Sequence, residues 1–184
     1  MSGRHIGRKT KMRKVMWGLI AIILGLSSPS FGGDIQYKRY INVRFAYGIS
    51  YPEGILIPQG EADNGDGQKF ISEDKTVEML AYGYYNPEPE EFTLKYMFDH
   101  ETTENSADHP GRKVTYKKLT ETWYVVSGTE GDKIFYTKVF YKKKENTNIH
   151  FFISYPKSRK HEFDAITAEI SKSFKLLKGP YYIR

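Results

Sequence analysis

The sequence predicts an α+β domain, an antiparallel β-sheet flanked by helices, and three observations carry that prediction. Four strand-like segments follow one another, Lys113–Leu119, Trp123–Ser127, Lys133–Tyr141 and Ile149–Tyr155. Their connectors, Gly128–Asp132 and Lys142–Asn146, are short and polar, as between antiparallel neighbours. Behind them a helix over about Ser158–Leu176 sets Phe163, Ile166, Ile170, Phe174 and Leu177 at intervals of three and four, an apolar stripe meant for a sheet. The chain also carries 15 Tyr and no Cys, so its stability rests on packing without disulfides and its sheet faces are half dry.

The N-terminal segment reads separately. Residues 1–32 hold Arg4, Arg8, Lys9, Lys11, Arg13 and Lys14 with no acidic residue, then the apolar run Val15–Leu26 and Ser-Ser-Pro-Ser-Phe-Gly. This is the pattern of a secretory signal peptide, with cleavage expected near Ser30 to Gly32 and Met1 or Met12 as the start. The apolar run is too short for a membrane helix, which needs about 20 residues, so no transmembrane helix is expected in the mature protein. The location implied is periplasmic or secreted. Six of the 28 basic residues lie in this leader, and the remaining 22 balance 22 acidic ones. Such balance argues against a nucleic-acid partner, which would require a persistent basic stripe.

The remainder predicts a loose lead-in over 33–39, one domain over 40–178 and a tail over 179–184. Tyr40–Phe45 and Ala46–Tyr51 are strand-like, and Pro52 stops the second because it has no N–H for a ladder. Ile55–Ile57 reads as a short buried strand, and 58–68 as a loop with two hairpin-type dipeptides, Asn64-Gly65 and Asp66-Gly67. Phe70–Ser72 and Thr76–Tyr85 form a hairpin. Asn86-Pro87 predicts a helix start, with Glu88, Glu90 and Glu91 favouring the positive end of the dipole and Leu94, Met97, Phe98 and Glu101 on one side.

This order resembles small secreted bacterial proteins of the PsbP-like fold. The residues that carry the likeness are Tyr-Gly-Ile-Ser-Tyr-Pro at 47–52, Gly-Asp-Gly-Gln-Lys-Phe at 65–70, Trp-Tyr-Val-Val-Ser-Gly at 123–128 and Ile-Phe-Tyr-Thr-Lys at 134–138, closed by Tyr155-Pro156 and the last helix. The resemblance covers about residues 40 to 176 and implies an α/β/α sandwich. The fold is named for an extrinsic photosystem II subunit. It also includes a transport-cycle GTPase-binding factor and uncharacterised bacterial envelope proteins, and no site residues are shared across them.

Candidate sites stand beside plainer roles. Glu61, Asp63, Asn64 and Asp66 offer clustered oxygens of the kind Ca²⁺ takes, but glycines stand at 65 and 67, and Asp74 where an EF-hand has Glu. The plainer reading is a turn of residues that tolerate φ > 0. His100 and His109, with Glu104 and Asp108 nearby, suggest a hydrolase or metal-dependent enzyme, although the spacing fixes no geometry. Ser127-Gly128 lacks the Gly-x-Ser-x-Gly elbow and reads as a strand end. His150 and His161 read as rim residues. Trp123, Tyr124 and Tyr136, with Tyr116 and Tyr141, suggest an aromatic binding surface, against the ordinary cross-strand role. Lys142–Lys144 is a solvated hairpin tip or a contact for anionic polymer. The expectation is therefore a non-enzymatic exported accessory or binding protein whose partner is an envelope protein or extracytoplasmic ligand, with no catalytic residues and no cofactor assigned; the alternatives are a hydrolase or metal-dependent enzyme on His100 and His109 with nearby carboxylates, or a calcium-binding module on the 61–68 loop.

Overall fold

Residues 35–178 are described by the computed structural model. The expected leader, its cleavage point and the tail over 179–184 lie outside them. Within these residues the chain forms a seven-stranded antiparallel sheet, with a second, three-stranded sheet beside it.

The first hairpin joins β1 (Tyr37–Asn42) to β2 (Tyr47–Pro52). The strand thus begins inside the expected lead-in and ends before Phe45. Its end is set by Asn42, whose Oδ1 accepts the Phe45 N–H at 2.8 Å and closes a turn with Ala46 at φ 52. Leu56 is buried as expected, but in a turn: the N–H groups of Ile55 and Leu56 both donate to the Pro52 carbonyl. The strand is instead β3 (Ile57–Glu61), exposed along its length, and it pairs with β4 (Gly67–Ile71). The expected loop over 58–68 is therefore largely hairpin. Gly67 is obligatory there, because a Cβ would stand 2.1 Å from the Ala81 carbonyl oxygen of the next strand.

β5 (Glu78–Tyr85) follows, then α1 (Leu94–Glu101). Asn86 does not cap this helix. It is buried, donates from Nδ2 to the Phe92 carbonyl and accepts the Glu88 N–H, so it organises the preceding turn. Thr93 is the cap, its Oγ1 accepting the Tyr96 N–H at 3.1 Å. The meander β6 (Arg112–Leu119), β7 (Trp123–Glu130), β8 (Lys133–Lys142) and β9 (Thr147–Pro156) matches the expected four strands, with tighter turns. After a 3₁₀ turn at Lys157–Arg159, α2 (Lys160–Ser173) runs back and β10 (Lys175–Leu176) pairs with β2.

The large sheet runs β3-β4-β5-β9-β8-β7-β6, each strand antiparallel to its neighbours, with β9 in the middle. Strand period two sends Ile149, Phe151, Ile153 and Tyr155 to one face and His150 and Phe152 to the other. The first face packs on β2 and on α2 through Phe163, Ile166, Ile170 and Phe174. Each such side chain contributes about 1.5–3 kcal/mol on burial. The second face packs more sparingly, with Leu94, Met97 and Phe98 of α1 over Tyr124, Val126, Phe135 and Val139. A helix on each face gives the sandwich. Among the described residues no helix is long and apolar enough to cross a membrane.

Candidate functional site

The helix α2 lies mainly over β2, β9 and β8, and among the described residues it does not pack comparably on β7 or β6. Beside the helix a groove of ≈ 420 Å³ opens, with Ile134, Tyr136 and Tyr155 in its floor. Thr115, Ser127 and Thr129 form the sheet-side wall, and Lys160, Asp164, Thr167 and Ala168 of α2 the other. Spacings of three and four along α2 put those polar residues in a stripe beside the apolar one.

The groove is built from hydrogen-bonded side chains. Tyr136 Oη and Ser171 Oγ lie 2.6 Å apart, and Lys138 Nζ donates to the Ser171 carbonyl at 3.0 Å. Burial lowers the Lys138 pKa, aided by nearby Lys175. Tyr155 donates to Asp164 Oδ1 at 2.9 Å, and Lys160 pairs with the other oxygen of the same carboxylate. Burial, with the Asp164 charge, pushes the Tyr155 phenol up, so it stays a neutral donor. These bonds tie the two walls together.

Along the rim the same face carries Tyr116, 54 % exposed, and Trp123, with Lys118 Nζ 5.3 Å from the indole. Such a cation–π pair contributes about 0.5–1 kcal/mol at an exposed site. Of the three aromatics expected to form a surface, Trp123 and Tyr136 share this face and are partly exposed. Tyr124 does not join them. It alternates to the opposite face, 1 % exposed against Phe98 of α1, where burial raises its phenol pKa strongly. Tyr141 also turns to the α1 side. Ser127 sits inside β7, opposite Tyr136, rather than at a strand end.

The acidic loop is gathered around a cation the chain itself supplies. Arg44 Nη1 lies 2.8 Å from Asp66 Oδ1 and also bonds the Asn64 carbonyl, while Asn64 donates to Asp66 Oδ2. Glu61 turns away, its Oε1 accepting from Tyr40 Oη at 2.6 Å and Asn42 Nδ2 at 3.0 Å. Burial and this carboxylate together push the Tyr40 phenol up to about 12. Asp63 is exposed.

His100 and His109 do come together, ring centroids 6.0 Å apart. His100 Nε2 lies 3.2 Å from Asp108 Oδ2, and His109 Nδ1 lies 3.6 Å from Glu130 Oε2. The dominant group, however, is Arg112, which reaches Glu101 at 2.7 Å and Glu130 at 2.6 Å, with its side chain 4 % exposed. Its guanidinium also lies 4.2 Å from the Phe135 ring centroid. Sequence reasoning missed Arg112 because its partners come from the end of α1 and the end of β7. Glu104 is elsewhere, accepting the Val114 N–H. Among the described residues no three His, Asp or Glu side chains are placed to hold a metal ion.

His150 is not a rim residue. It stacks between Tyr82 (4.9 Å) and Tyr84 (5.3 Å), its Nε2 is buried without a hydrogen-bond partner, and burial lowers its pKa to about 4. His161 is exposed, and Lys143 and Lys144 stand at a solvated hairpin tip.

No protein-family model matches the chain, and a search of curated proteins finds no match. Solved structures do share its fold. The solution structure of cyanobacterial PsbP (CyanoP) from Synechocystis sp. PCC 6803 aligns over 82 % of this chain and 98 % of its own at 16 % identity, TM-score 0.56. The Saccharomyces cerevisiae Ran-binding protein Mog1p aligns over 78 % and 97 % at 10 % identity, TM-score 0.50. At these identities the likeness fixes the architecture alone: the sandwich is PsbP/Mog1-like.

Proposed function

We propose that this PsbP/Mog1-like domain is a non-enzymatic accessory protein of the cell envelope, reached by export, and that it binds a partner through the groove between α2 and the β6–β8 part of the sheet. The observation that carries this reading is the half-sheet beside α2: a 54 % exposed Tyr116 and a Lys-stacked Trp123 next to a groove whose walls are held by the Tyr136–Ser171 and Tyr155–Asp164 hydrogen bonds. Aromatic side chains with one wet edge suit protein contact, because they supply large area at small entropy cost. A binding role also accords with the fold, since Mog1p is a Ran-binding protein.

The test compares capture of partners from the envelope fraction of the exporting cell. Trp123→Ala and Tyr136→Ala are expected to lose the captured species, and Tyr96→Ala, on the opposite helix, to keep it. Equal capture by all variants would refute the groove as the docking surface. A hydrolase built on His100 and His109 has less support, because Arg112 already neutralises Glu130, the carboxylate beside His109, and Asp108 beside His100 is exposed.

A further inference from the structure

We infer that β6 is an acceptor edge for an acidic extended peptide, which joins the large sheet as its eighth strand. The inference rests on reading this half of the sheet as the docking surface and names the chemistry of what docks there. Among the described residues β6 is the terminal strand of seven and pairs only with β7, so alternate backbone groups face outward. One of them shows what fits: Val114 N–H donates to Glu104 Oε1 at 2.8 Å. That carboxylate oxygen stands where the carbonyl of an added strand would accept. Beside it, a hollow of ≈ 220 Å³ lies between Thr102, Glu104 and residues 114–117.

The side chains choose the sign of the partner. Lys113, Lys117 and Lys118 are exposed, and among the described residues none of them has a carboxylate partner within ion-pair distance. Arg112 is turned inward and already paired, and the acids flanking the strand in sequence are Glu104, held on the Val114 amide, exposed Asp108 beside His100, and exposed Glu121. Lysines on an edge repel a second copy of the same strand, so self-pairing is disfavoured. An acidic strand turns that repulsion into attraction. Tyr116 and Leu119, 54 % and 37 % exposed, supply apolar contacts. The other edge, β3, lacks this equipment: Pro58 has no N–H, the pairing is irregular between Pro58 and Glu61, and no lysine lies in the strand.

The test uses the full chain and two synthetic eight-residue peptides, one alternating Glu with Val and one alternating Lys with Val, with inorganic triphosphate as a third probe. Backbone NMR is expected to show saturable shifts from the Glu peptide on β6, β7 and the α1–β6 loop. Exchange of β6 amides should slow by about tenfold or more, and binding should weaken as salt rises. Joint Lys113→Glu, Lys117→Glu and Lys118→Glu substitution should abolish the shifts with the circular-dichroism spectrum unchanged, and Glu104→Gln should tighten binding. The inference is overturned by no saturable shift, by shifts on β3, by equal binding of the Lys peptide, or by triphosphate alone giving the effect. If the peptide fails while capture still depends on Trp123 and Tyr136, strand addition falls and the groove stands.

Discussion

The two halves of the large sheet differ in what lies against them. Around β5 and β9 the α2-side face is closed by β2 and α2, with Phe70, Met79, Phe151 and Ile153 wholly buried. Around β6 and β7 the same side carries Tyr116, Lys118, Trp123 and a groove. One half is a scaffold whose residues are fixed by packing. The other carries an exposed Tyr116 and a Lys118–Trp123 pair that contributes little to the fold, and that is where substitutions should separate binding from stability.

Phe151→Ala gives the largest expected loss on the closed side, about 4 kcal/mol in denaturant unfolding, because the ring meets both Tyr136 and Phe174 and leaves a cavity. A loss as small as a surface change would break the comparison. Arg112→Met should cost about 3 kcal/mol, since it strands two carboxylates that the guanidinium now satisfies. Replacing Glu101 and Glu130 by Gln in the same protein should recover part of that loss.

His150 sharpens the contrast through pH. Its folded pKa lies near 4 against 6.5 unfolded, so between these values the unfolded chain binds a proton that the native chain refuses. Stability from this group is complete above about pH 6.5 and falls as pH drops toward 4, by a total on the order of 3 kcal/mol. His150→Phe should flatten this slope, measured as unfolding free energy against pH. An unchanged slope would show that the imidazole is not excluded from water.

Two smaller effects follow. Calcium should leave the melting temperature unchanged, because Arg44 already sits among the loop oxygens. A rise in Tm that saturates with calcium would reverse that assignment. Tyr116→Ala should alter stability by no more than about 0.5 kcal/mol while reducing partner capture.

Period-two alternation and the α2 stripe made the meander and the closing helix legible, because each depends on spacing within one segment. The helix cap was misplaced since Asn86 and Thr93 are both good capping residues, and only the bond from Asn86 Nδ2 to Phe92 shows which one is diverted. His150 was unreadable as a core residue because its cover, Tyr82 and Tyr84, comes from β5. The aromatic surface was legible in part. Trp123 and Tyr124 are adjacent in a strand and must face opposite ways, so one of the two had to be lost to the core. The polar stripe of Lys160, Asp164, Thr167 and Ser171 was present at helical spacing, but its significance depends on the sheet leaving that flank open.

The most direct measurement is site-specific photocrosslinking in the cell that makes the protein, with a photoreactive residue at position 116 or at position 96. A discrete adduct from 116 and none from 96 is the result expected of an open half-sheet that docks a partner. An adduct from 96 alone, or none from 116, would contradict it.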